Sequence, residues 1–187
     1  MIWNTHSDLS GKHAPFSPSK YHWINYTDEK AIDIYCNLKA AEKGTADHAF
    51  AALCIERRQK LPKSRLTLNS YVNDAIGFRM SPEVVLKYSD LFFGTADAIS
   101  FSERDNFLRI HDLKTGIIPA HMEQLEIYAA LFCLEYGKNP RNLKFELRIY
   151  QNDEIVVEEP EPEKIEAIMD QIMHLDMLIT KYRSEVE

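Results

Sequence analysis

The chain has only three cysteines in 187 residues, Cys36, Cys54 and Cys133, and no two share a C-x-x-C spacing. That scarcity excludes a disulfide framework and offers no ligand pattern for a zinc or iron–sulfur site, so reduced and mostly buried thiols are expected. Long apolar runs are also missing: no stretch approaches the roughly 18 uninterrupted apolar residues of a membrane helix. The N-terminal MIWNTHSDLSGKH lacks the basic start and apolar run of a secretory signal, so a soluble, cytoplasmic protein without a membrane partner is expected. There is no internal repeat, low-complexity tract or linker rich in Gly and Ser. With 45% hydrophobic residues to build a core, one domain over 1–187 is the expectation.

Positive charge is in short supply overall. The net charge is -7, which at first argues against nucleic acid, because phosphate binding rests on Lys and Arg. The deficit is concentrated in Asp153 to Glu187, which carries eleven acidic and three basic residues, leaving 19 basic and 18 acidic residues in 1–152. Arg57, Arg58, Lys60, Lys63 and Arg65 form one basic run, and Lys138, Arg141, Lys144 and Arg148 a looser second group. Charge permits a DNA-binding face without demanding one.

Periodicity divides the chain into elements. Apolar positions from Asp28 to about Ala41 predict a helix with Asp28 as N-cap, and Gly44-Thr45 predicts the start of a second, running to about Lys60. Glu83 to Tyr88, Phe92 to Ser102 and Phe107 to Lys114 read as strands, the last two joined through the polar Glu103-Arg104-Asp105-Asn106 turn. A helix from about Ala120 to Tyr136 should stop at Gly137, and a strand from Leu143 to Tyr150 has a candidate partner at Glu154 to Glu158. The acidic end reads as an amphipathic helix from Pro162 to about Tyr182.

Some residues break these patterns. Asp112 and Lys114 lie two apart in the third strand, so both point to one face where a buried strand would carry apolar side chains. Asp97 is a lone acid inside the small, apolar run Phe93-Gly94-Thr95-Ala96-Asp97-Ala98-Ile99, and hairpin pairing would bring it toward Asp112. Two approaching carboxylates repel unless one is protonated or a cation lies between them, and the cation is the simpler explanation. Oxygen ligands suit Mg²⁺ or Mn²⁺, and His48, one turn into the second expected helix, is a candidate nitrogen ligand that would tilt preference toward Mn²⁺. Glu83 is a further acid near the sheet, too weakly marked to join the expected ligands. Gln124 and Tyr128 stack four apart on the helix after Lys114, with His121 just before them.

In order and element context, Gly44-Thr45-x-x-His48, Gly94-x-x-Asp97, Asp112-Leu113-Lys114 and Gln124-x-x-x-Tyr128 resemble the RecB-like branch of the PD-(D/E)XK nucleases, which includes phage exonucleases and CRISPR-associated nucleases. The likeness covers roughly residues 17 to 150 and extends weakly to Ser17-Pro18-Ser19 and Trp23. It implies an α/β (mixed α+β), restriction-endonuclease-like core of order α-β-β-β-α-β, a mixed sheet flanked by helices, over about 40–150. An extension over 1–39 and an acidic C-terminal helix over about 160–187 would be additions. It also implies His48, Asp97, Asp112 and the Leu113 carbonyl around Mg²⁺ or Mn²⁺, Lys114 as the catalytic lysine, and Gln124 and Tyr128 supporting the site or touching DNA. Members with an iron–sulfur cluster carry a cysteine where Tyr26 stands here and three near the C-terminus; this chain has none after Cys133, which excludes that subgroup.

The resulting expectation is a metal-dependent deoxyribonuclease, an exonuclease in preference to an endonuclease, acting in a bacterial or phage-infected cell. The acidic helix would serve a second copy or a protein partner. Two alternatives are a catalytically weak nuclease-fold protein that binds DNA or protein, and an unrelated α/β protein whose charged residues are merely exposed ion pairs.

Overall fold

A computed structural model describes residues 18–116 and 119–186; Ser17, to which the family likeness was expected to extend weakly, lies outside them. The described chain falls into two compact units, one ending at Thr45 and one beginning at Ala46.

In the first unit, a 3-10 helix (Pro18–Asn25) precedes the start of helix α1 (Asp28–Glu56). The Lys30 N–H donates to Thr27 Oγ1 at 3.3 Å, so Thr27 caps this helix in place of Asp28. The break expected at Gly44-Thr45 does not occur. Thr45 Oγ1 donates back to the Ala41 carbonyl at 3.1 Å, the i to i−4 bond of a helix-interior threonine, and α1 continues.

The second unit is a mixed α/β structure around one five-stranded sheet. Its strands are β1 (Ser81–Lys87), β2 (Phe93–Ser102), β3 (Phe107–Leu113), β4 (Lys144–Gln151) and β5 (Glu154–Glu158), lying side by side in chain order. All neighbours pair antiparallel except β3 and β4, which are parallel and need a crossover; helix α3 (Glu123–Glu135) supplies it. Helix α2 (Thr67–Gly77), before β1, was not anticipated, and helix α4 (Pro162–Val186) closes the chain.

The two sheet faces differ. Leu108 and Ile110 of β3 and Phe145, Leu147 and Ile149 of β4 pack with Leu125 and Ala129 of α3 and Ile165 and Ile172 of α4. On the other face, Leu113 and Tyr150 pack with Tyr71 and Val72 of α2 and with Ala51 and Ile55 of α1. This second face also carries a half-buried polar network. Arg109 and Arg148 share Glu146 Oε1 at 3.0 and 3.1 Å, and the Tyr150 hydroxyl donates to Asp74 at 2.8 Å.

Turn chemistry follows the sequence. Gly137 has φ +60 and ends α3 as expected, while Asn152 and Asp153, both at positive φ, make the two-residue hairpin between β4 and β5. Helix α3 starts at Glu123, later than the expected Ala120, and the Ala120 N–H before it donates to Gln151 Oε1 at 3.0 Å. No helix among the described residues is long and apolar enough to cross a membrane.

Candidate metal centre

Strand β2 changes phase where the site forms. Ala96 belongs to the α3-side core, Ala98 to the α2-side core, and Ile99 to the α3 side again, so the two-residue alternation slips by one around Asp97. Opposite, between the pairs Pro82↔Ala98 and Val84↔Ala96, stands Glu83 at φ 51, a conformation a non-glycine residue rarely adopts. The slip frees both acids from the packed faces. Asp97 Oδ2 accepts the Leu113 N–H at 2.9 Å and lies 3.4 Å from His48 Nδ1.

His48, Glu83 and Asp97 each offer a donor atom, all within 4.8 Å of one another. Ligand bonds of about 2.1 Å place opposite donors about 4.2 Å apart, so small side-chain rotations bring one nitrogen and two carboxylates onto a single Mg²⁺ or Mn²⁺. The electrostatics agree with such a site. His48 is held above its ordinary value by the hydrogen bond to Asp97, with Asp97, Asp112 and Glu83 adding negative potential. Glu83 is raised by partial burial and by Asp97.

Asp112 and Lys114 do share a face, on the α3 side. Asp112 is 2% exposed, which excludes the alternative of a solvated surface pair. Burial and the Asp97 charge push it up to about 6, against the opposing pull of Lys114. Lys114 Nζ donates to Asp112 Oδ1 at 3.2 Å and to Gln124 Oε1 at 2.8 Å. Asp112 Oδ2, 3.0 Å from Nζ, is buried without a donor aimed at it among the described residues, which fits an acid suited to a cation.

The line continues through Gln124 Nε2, which donates to the Tyr128 hydroxyl at 3.5 Å, to the Tyr128 ring resting on Gly94. Six expected residues thus form two adjoining groups, His48 with Asp97 and Asp112-Lys114-Gln124-Tyr128, while Glu83 joins the first. Leu113 contributes its N–H to Asp97, and its side chain is buried. His121 is exposed, 4.0 Å from Glu123 and apart from both groups. Cys54 and Cys133 are buried and Cys36 exposed, all free thiols.

The two basic groups part ways. Arg141 is spent on Glu163 and Glu166, and Arg148 on Glu146 and Asp74, whereas Arg57, Arg58, Lys60, Lys63 and Arg65 are exposed with no ion pair among the described residues.

No known protein family, curated protein or solved structure matches the chain.

Proposed function

We propose that this chain is a divalent-metal-dependent DNA nuclease, acting as an exonuclease, with His48, Glu83 and Asp97 as its metal-binding group and Asp112 and Lys114 beside it. The observation that carries the reading is the convergence of one imidazole and two carboxylates within 4.8 Å, next to a buried acid clamped by a lysine. When bound there, Mg²⁺ or Mn²⁺ supplies polarisation of a phosphate oxygen and a bound water of lowered pKa.

The chain's own residues do the remaining work. The Leu113 N–H fixes the Asp97 carboxylate toward His48. Lys114, held between Asp112 and Gln124, presents a cation whose charge offsets negative charge developing on a phosphate. Gln124 and Tyr128 position that lysine. The exposed basic run at 57–65, without an ion pair among the described residues, suits contacts to phosphates farther along the strand.

The test is cleavage of labelled linear, nicked and single-stranded DNA with Mg²⁺ or Mn²⁺. Expected is metal-dependent cleavage, abolished by chelator and reduced at least 100-fold in Lys114→Ala and Asp97→Ala that retain wild-type circular dichroism. Equal cleavage by all three proteins would overturn the reading.

A second reading, a catalytically weak module that binds DNA or protein, draws on the exposed Met173, Met177, Leu178 and Tyr182 of α4. It predicts no cleavage by wild type in that assay, with binding of DNA or of a protein partner detected in a separate binding assay.

A further inference from the structure

An open cleft of about 420 Å³ lies between the end of α1 and the start of β1, lined by Ala49, Ala52, Leu53, Glu56, Pro82 and Glu83. The four helix residues recur at i, i+3, i+4 and i+7, one face of the helix. Ala49 and Ala52 are small enough to leave the space, and Leu53 and Pro82 give it apolar walls. Glu83 belongs to both the cleft and the metal-binding group, so the two adjoin.

We infer that this cleft receives the base of an unpaired nucleotide whose phosphate lies at His48, Glu83 and Asp97; the inference rests on the nuclease reading. Charge decides which part of the nucleotide enters. Glu83 is shared with the metal-binding group; beyond it the lining offers, among the described residues, only the carboxylate of Glu56 and no basic residue, so a phosphate is repelled from the rest of the cleft. A neutral base instead finds apolar walls for its faces and carboxylate oxygens that accept from its exocyclic amine or ring N–H.

Size points the same way. The volume falls in the range of small-molecule pockets, about 300 to 1,000 Å³, and takes one nucleoside-sized group. A base inside a duplex reaches such a cleft only after leaving its stack, which costs least in single strands and at frayed ends. The substrate class is therefore single-stranded DNA or a frayed terminus. An amino-acid side chain of a protein partner is the rival occupant of the same apolar walls.

The experiment compares, in Mn²⁺, cleavage of end-labelled single-stranded oligonucleotides that carry either a normal base or an abasic tetrahydrofuran nucleotide at each position flanking the scissile phosphate. Wild type is expected to cut at least tenfold more slowly when one particular flanking position is abasic. Ala49→Phe, placed at an exposed position, fills the cleft; it should lose at least tenfold on the normal strand and nothing more on the abasic one. Ala52→Leu repeats the test with a smaller group. Were both variants unfolded, the wild-type abasic comparison decides alone.

Equal wild-type rates on normal and abasic strands, blunt duplex cut as fast as single strand, or a folded Ala49→Phe with wild-type rates would each overturn the base cleft while leaving the nuclease reading in place. No cleavage of any substrate by wild type overturns the nuclease reading, and the base cleft falls with it.

Discussion

Gly94 lies so close under Tyr128 that a Cβ at residue 94 would stand 2.9 Å from Tyr128 Cε1. The glycine is needed for close approach, since side-chain carbons do not sit that near a ring. Tyr128 in turn meets the Gln124 amide, and Gln124 holds Lys114, so a methyl group on β2 disturbs the lysine just past the end of β3 through two helix residues.

Gly94→Ala should therefore destabilise the fold by about 1–3 kcal/mol through overpacking and lower cleavage roughly tenfold. In a Tyr128→Ala background, where the ring is gone, the same substitution should cost close to nothing. A double-mutant cycle by urea unfolding measures that coupling. An unchanged cost without the ring would show that the contact is not what the glycine serves.

Glu83 is the residue on which metal binding distinguishes the observed group from the one expected in the sequence. Titration calorimetry with Mn²⁺ should show at least tenfold weaker binding for Glu83→Ala, about 1.4 kcal/mol, and loss of measurable binding for Asp97→Ala. Wild-type affinity in Glu83→Ala would return the ligand set to His48, Asp97 and Asp112.

The pH dependence of stability reads Asp112 directly. Its folded value of about 6 lies above its ordinary 3.8, so the metal-free fold binds that proton more tightly than the unfolded chain does. The contribution is full below pH 3.8 and is lost as pH rises through about 6, an effect of about 3 kcal/mol. His111 acts in the opposite sense: burial, Arg148 and Arg109 lower it to about 3, so its contribution is lost as pH falls. Comparing wild type with Asp112→Asn in chelator cancels the histidine. From pH 4 to 7, wild type should lose roughly 2.4 kcal/mol relative to the variant, and Mn²⁺ should restore it at pH 7. A difference that does not change with pH would mean that Asp112 ionises as a solvent-exposed aspartate does.

What was legible in the sequence follows from where the information is stored. The β2–β3 hairpin, the shared face of Asp112 and Lys114 and the stop at Gly137 are written in neighbouring residues, and all three are found. Helix α2 is different. Its apolar Leu68, Tyr71, Val72, Ala75 and Ile76 have helical spacing, but Leu66 gives no side-chain cap. The capping acceptor is Asp153, whose Oδ1 takes the Thr67 N–H at 2.7 Å from 86 positions away. A start signal supplied from another hairpin leaves no local trace.

Glu83 was undervalued for a related reason. Its nearness to Asp97 depends on the β1–β2 register, and its positive φ has no signature in a non-glycine residue. The apparent break at Gly44-Thr45 misled because both residues suit a helix boundary on propensity, while the Thr45 hydroxyl bonds back to the Ala41 carbonyl within one helix instead of capping a second.

Among the described residues β1 is also an outer strand of the sheet, paired only with β2. An outer strand exposes a row of unused backbone donors and acceptors that can recruit a strand from another molecule. Pro82 has no N–H to offer such a strand, and the positive φ of Glu83 interrupts the regular extended backbone beside it. The irregular backbone that turns Glu83 toward Asp97 therefore also makes this border of the sheet a poor template for aggregation.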